Sequence, residues 1–217
     1  MQEKIFEYPG VDVSVSYDLK RCIHAAECVK GLPRVFNPNK KPWVDPDQAE
    51  AAELAEVIMR CPTGALKYKA EHVEAEKAPG ENTITIDPDG PLYVSGNIVV
   101  KSSEGEEVLH DTRIALCRCG ASKNKPLCDG SHTKAGFQDP GEIGESKMKE
   151  GGAAGEENTL TIVMANNGPL LFEGDVSIHC KDASASLAGQ KGALCRCGAS
   201  ANKPFCDGAH KSIGFEG

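Results

Sequence analysis

Three groups of residues in this chain could do metal chemistry. Cys117, Cys119, Cys128 and His132 stand in Cys-Arg-Cys-Gly-Ala-Ser-Lys-Asn-Lys-Pro-Leu-Cys-Asp-Gly-Ser-His. Cys195, Cys197, Cys206 and His210 stand in Cys-Arg-Cys-Gly-Ala-Ser-Ala-Asn-Lys-Pro-Phe-Cys-Asp-Gly-Ala-His. Both read Cys-x-Cys-x8-Cys-x3-His. From Cys117 to Phe137 and from Cys195 to Phe215, 15 of 21 positions are identical. A third group, Cys22, Cys28 and Cys61, has the spacing Cys-x5-Cys, a long gap and then Cys-Pro-Thr-Gly-Ala-Leu. Three thiols and one imidazole can hold zinc or iron. Structural zinc sites favour ligand pairs two to four residues apart, which a Cys-x-Cys pair fits poorly. With no secretory signal in view, ten cysteines with two Cys-x-Cys pairs among them point to metal rather than disulfides.

The segment Cys128-Asp-Gly-Ser-His132 spells the signature of the CDGSH-type iron–sulfur domains, the family of mitoNEET, which both repeats resemble. The second copy reads Cys206-Asp-Gly-Ala-His210, and its Ala209 is not at a ligand position. The resemblance implies a [2Fe–2S] cluster in each repeat. Cys117 and Cys119 would hold one iron, and Cys128 and His132 the other. Cys195, Cys197, Cys206 and His210 would repeat the scheme. It also implies that the two copies pack side by side as a fused dimer about a pseudo-two-fold axis. Imidazole in place of a thiolate removes negative charge and raises the potential, as in Rieske centres.

The first group resembles the monocluster bacterial ferredoxins. In that family a fourth cysteine falls three residues after the first, where this chain has Ala25. The resemblance implies a [3Fe–4S] cluster on Cys22, Cys28 and Cys61. The alternative is a [4Fe–4S] cluster with a non-cysteine ligand, His24 or water.

The elements that must position these residues follow from patterning. Residues 1–70 read as a ferredoxin-like domain with a strand over Val11–Tyr17, a strand at Pro42–Val44 and a strand at Leu66–Lys69. Between them, Asp47 is expected to cap a helix whose apolar face is Ala49, Ala52, Leu54, Ala55, Ile58 and Met59. Residues 71–80 read as a charged linker. Residues 81–138 and 157–217 read as two small β-rich domains joined by a flexible, Gly-rich linker over 139–156. Thr83–Ile86, Leu92–Ser95 and Ile98–Val100 alternate as strands, and Asp129 and Asp207 are placed to cap short helices carrying the histidines. The fold class is therefore α+β. Cys180, whose counterpart is Ser102, reads as a structural thiol, and His72, His110 and His179 as surface residues.

A net charge of −8 with no basic stripe argues against nucleic acid as a partner. No run reaches the length of a membrane span, and a cytoplasmic protein is expected. With no nucleophile–base constellation or phosphate-cradling loop legible, no catalysis is expected. The leading reading is an electron carrier working with a redox partner protein. The alternatives are cluster storage and transfer to apo iron–sulfur acceptors, or a redox subunit of an oxidoreductase complex.

Overall fold

The computed structural model describes residues 4–149 and 158–217. They form two compact units, Met1–Lys77 and Ala78–Gly217. The second is mostly sheet with short helices, and the first combines a three-stranded sheet with short helices.

The first unit holds an antiparallel sheet in the order β1 (Ile5–Tyr8), β2 (Val13–Asp18), β3 (Leu66–Ala70). Alternation along β2 sends Val13, Val15 and Tyr17 into the core. There they meet Leu54, Val57 and Ile58 from helix α2 (Ala51–Met59). The short helix α1 (Glu27–Gly31) follows the first two cysteines. Trp43 packs edge-on to Tyr17, with ring centroids 5.0 Å apart. Two local expectations fail. Asp47 does not cap α2: it lies in a separate 3-10 turn, Pro46–Gln48, and its carboxylate accepts the Val11 amide at 2.7 Å. The backbone turns extended at Ala49 and Glu50 before the helix starts. The segment Pro42–Val44 forms only a single bridge, Phe36 to Val44. Pro42 has no N–H to donate to a ladder.

The second unit joins both repeats in one six-stranded sheet. The first repeat supplies β4 (Thr83–Ile86), β5 (Leu92–Lys101), β6 (Glu107–Leu116) and helix α3 (Ser131–Lys134). The second supplies β7 (Thr159–Met164), β8 (Leu170–Cys180), β9 (Ser186–Leu194) and helix α4 (Ala209–Ser212). Each repeat pairs its own strands antiparallel. Each also lends its first strand to the other. β4 runs parallel to β8, from Thr83 beside Ser177 to Ile86 beside Cys180. β7 runs parallel to β5, from Asn97 beside Thr159 to Lys101 beside Val163. β5 is one strand where two were expected, with an irregularity in its pairing to β6 between Ser95 and Ile98.

The exchange leaves one shared core rather than two small ones. Ile84, Ile86, Ile98 and Val100 pack with Ile162, Phe172 and Ile178. Asn82, buried at the crossing, donates to the carbonyls of Asn158 and Asp175 at 2.8 Å each. Its side-chain oxygen accepts the Asn97 amide at 3.0 Å.

The leading part of the expected linker over 139–156 is not a free tether. The Gly144 amide donates to Lys203 O at 2.9 Å, Lys149 bridges to Lys191, and Ile143 and Met148 pack on the core. Residues 150–156 lie outside the described residues. Among the described residues no helix is long and apolar enough to cross a membrane.

Candidate metal centres

The end of β6 delivers Cys117, and the loop beyond it folds back on that strand. The Cys117 amide donates to Pro126 O and the Cys128 amide to Ala115 O, each at 2.8 Å. Inside the loop, the buried Ser122 hydroxyl donates to Leu127 O at 2.6 Å and accepts the Asn124 amide at 3.0 Å. Loop closure sets Cys117 Sγ 3.8 Å from Cys119 Sγ. The single turn of α3 brings His132 Nδ1 to 3.3 Å from Cys128 Sγ. The second repeat builds the same object. Cys195 and Cys197 sulfurs lie 3.8 Å apart, and His210 Nδ1 lies 3.4 Å from Cys206 Sγ. Ser200 donates to Phe205 O at 2.7 Å.

The four donors at each site therefore come as two pairs. Among the described residues, no three or more such groups gather round one ion. The pairs still sense each other: the charge of Cys128 acts on Cys119, and that of Cys117 on Cys128. Two adjacent two-donor sites are what a two-iron cluster requires, with thiolate as the main ligand.

Charge at the site is set by burial and by neighbouring N–H groups. A hydrogen bond from Cys117 pulls the Cys119 thiol down to about 6 and raises Cys117 itself. Burial pushes Cys128 and Cys195 up to about 11. The amides of Ala121 and Gly130 donate to the sulfurs of Cys119 and Cys128, each at 3.4 Å. Ala121 lies in the loop, and Gly130 is the residue at the N-terminus of α3. Asp129 does not cap α3, whose N-cap is Gly130. Its carboxylate instead accepts the amides of Ser131 at 3.0 Å and Lys123 at 2.8 Å. Burial opposes its ionisation, but these hydrogen bonds outweigh burial and hold its carboxyl below the usual range. Asp207 makes the same pair of contacts, to Ala209 and Ala201.

Sequence reasoning missed Arg118 and Arg196, each set between two ligand cysteines and almost wholly buried. Arg118 donates to Gly90 O at 3.1 Å and Asp87 O at 2.6 Å, and pairs with the Asp139 carboxylate. Arg196 donates to Gly168 O at 2.9 Å, Ala165 O at 2.7 Å and Gly217 O at 2.6 Å. Each clamps its ligand loop to the turn between the first two strands of its own repeat. The available signal was a cation kept between two thiols in both copies.

The two loops also touch. Cys119 and Cys197 form an antiparallel backbone bridge. A Cβ on Gly120 would lie 2.5 Å from Cys197 O, and one on Gly198 would lie 2.6 Å from Cys119 O. Both glycines have positive φ, 79° and 84°. Lys125 of the first repeat lies over the Phe215 ring, and Lys203 of the second lies over Phe137.

In the first unit Cys22, Cys28 and Cys61 line one narrow cavity, with Ala25 in its wall. Thr63 Oγ1 lies 3.5 Å from Cys61 Sγ, and Tyr17 hydrogen-bonds the Cys22 side chain. Burial and then the charge of Cys61 push the Cys28 thiol up to about 11. His24 is exposed, with φ 60°, and does not line the cavity. Cys180 is buried in the sheet, whereas His110 is exposed and hydrogen-bonds Asn97 Oδ1 at 2.9 Å.

These sites agree with what known proteins share with the chain. Residues 8–71 match the family described as a divergent 4Fe-4S mono-cluster. Residues 89–133 and 167–211 each match the family described as an iron-binding zinc finger of CDGSH type. The chain belongs to the iron–sulfur proteins, joining a divergent mono-cluster domain to two CDGSH-type domains. Over 62 residues it is 40% identical to the uncharacterised protein YjdI of Escherichia coli strain K12, covering 29% of this chain and 82% of that protein. YjdI of Escherichia coli O157:H7 matches to the same extent. No solved structure matches.

Proposed function

We propose that the chain is a multi-cluster electron carrier. One [2Fe–2S] cluster would sit on Cys117, Cys119, Cys128 and His132, and another on Cys195, Cys197, Cys206 and His210. The observation that carries this reading is the division of each donor set into two pairs. A single tetrahedral zinc ion would draw four donors to one point. In the first unit the three thiols and Ala25 favour [3Fe–4S]; the family's description favours [4Fe–4S] as the alternative. Bound clusters supply one-electron chemistry. The chain's own part is to hold the thiols, aim amides at the sulfurs and limit access of water through burial.

The reciprocal parallel pairings of β4 with β8 and β7 with β5 support a pseudo-two-fold relation between the repeats. The short strands and helices of the first unit support a ferredoxin-like fold there. On this reading the protein is cytoplasmic, performs no catalysis of its own, and serves a redox partner protein rather than nucleic acid or a membrane. The alternative role for the same clusters is that of a redox subunit in a larger oxidoreductase. EPR of as-isolated and reduced protein, with iron and sulfide counting, tests the assignment. Two [2Fe–2S] signals and one 3Fe or 4Fe signal are expected; a colourless, zinc-only preparation after anaerobic expression overturns it.

A second reading, cluster delivery to apo acceptors, is favoured by the one imidazole donor at each twin site. Transfer of both clusters to an apo-ferredoxin, followed by absorbance, supports delivery. Retention of both supports the carrier.

A further inference from the structure

The outer face of β7, β8 and β9 carries a feature that the metal sites do not use. Val163 stands beside Leu171 across the β7–β8 ladder, and Leu171 beside Ala193 across β8–β9. Their neighbours along the strands, Ile162 and Phe172, point into the core. The outward residues thus form an apolar strip, and Leu171 on it is 43% exposed. The strip floors an open groove of about 430 Å³. Three lysines border it: Lys147 and Lys149 from the segment that follows Gly144, and Lys191 from β9. Lys191 is partly offset by Glu173 at 3.4 Å, and both are 53% exposed. Cys206 lines the same groove, because its amide donates to Ala193 O at 2.9 Å.

An exposed apolar strip with a charged rim is the make-up of a protein-docking patch. Its local charge is positive on a chain of net charge −8. A surface of this kind selects a partner of opposite sign by steering its approach. Its modest size suits the small, short-lived interfaces of electron-transfer partners. In the first repeat, Gly192 is replaced by Ile114 and Glu173 by Ser95, and among the described residues no bridge to β6 corresponds to the one from Lys149 to Lys191.

We propose that this groove is the docking face for an acidic redox protein with an apolar contact tip, placing that partner at the second twin site. The proposal rests on the electron-carrier reading. The probe is an acidic [2Fe–2S] ferredoxin, mixed with the holoprotein at low ionic strength and joined by a carbodiimide, which links lysine to carboxylate. Mass spectrometry is expected to find the links concentrated at Lys147, Lys149 and Lys191. Lys147→Glu with Lys149→Glu is expected to lower the yield about tenfold, as is 0.5 M salt, which screens exposed charges beyond about 3–5 Å. Leu171→Ser is expected to weaken capture without moving the sites of linkage. Links spread over other lysines, no links, or a yield unchanged in the double variant would overturn the docking face. Stopped-flow reduction of the holoprotein by the same ferredoxin reads the carrier function separately. Reduction at an unchanged rate in the double variant leaves the carrier standing and removes the groove. Specific links without reduction keep the groove and remove the carrier.

Discussion

Arg118 shows how much of a metal loop is held by groups that never touch metal. Its guanidinium is buried, satisfied by two carbonyls and paired with Asp139. Removing one partner of a buried pair leaves the other uncompensated, at a cost of about 3–5 kcal/mol. Lys203, 3.8 Å from the Asp139 carboxylate, offsets part of that cost. Arg118→Leu is therefore expected to lower the unfolding free energy by at most about 3–5 kcal/mol and to lower iron content, although all four candidate donors of the first repeat remain. Wild-type stability and iron content in this variant would refute the clamp. The thiols give a second expectation at this scale. Cys28, Cys128 and Cys195 rise from 9.0 to about 11 on folding. Between those values the folded, cluster-free chain binds more protons than the unfolded chain. Stability conferred by the neutral thiols is thus intact below about pH 9 and is lost as pH rises towards about 11. Urea midpoints of cluster-free protein should fall across that window, and less steeply in Cys128→Ala. A flat profile would contradict it.

The elements were legible where local pattern and tertiary environment agree. Thr83–Ile86 was placed to the residue, because alternation over four residues reports a half-buried strand directly. Asp129 and Asp207 were misplaced by one position, since Gly130 and Gly208 take the left-handed cap and free the carboxylates to bind amides across the loop. At Gly120 the backbone admits a close approach that no side chain would allow. The approach turns out to be that of the other repeat's loop. Gly120→Ala must both adopt positive φ and displace Cys197 O, which costs about 1–3 kcal/mol for the backbone alone. Thermal unfolding should show that loss, and Gly198→Ala should match it. Substitution at Gly136, which also has positive φ but meets no neighbour, should cost less. Equal losses at Gly120 and Gly136 would mean that contact between the loops contributes nothing.

At the scale of the molecule, the two twin sites share a sheet, a core and a backbone bridge at ligand residues Cys119 and Cys197. Ordering one ligand loop presents an ordered surface to the other, so part of the entropy of loop closure is lost once rather than twice. Reconstitution with iron and sulfide for one twin site per chain should give mostly empty and doubly loaded second units. Native mass spectrometry would read the distribution. The random proportions expected of independent sites would show that the loops do not communicate.

By itself the sequence determined the candidate donors. Donor type, spacing and duplication are local properties of the chain, and Cys-x-Cys-x8-Cys-x3-His needs only a short loop and one helical turn to gather its donors. Tertiary structure alone decided that the two repeats share one sheet and one core. A strand paired with its own repeat on one side shows the same alternation whatever pairs on its other side, so pairing of β4 with β8 and of β7 with β5 leaves no local mark. It also decided that residues 143–149 lie against β9 rather than tethering the repeats. Their composition reads as linker, and burial of Ile143 and Met148 on a shared core outweighs that reading.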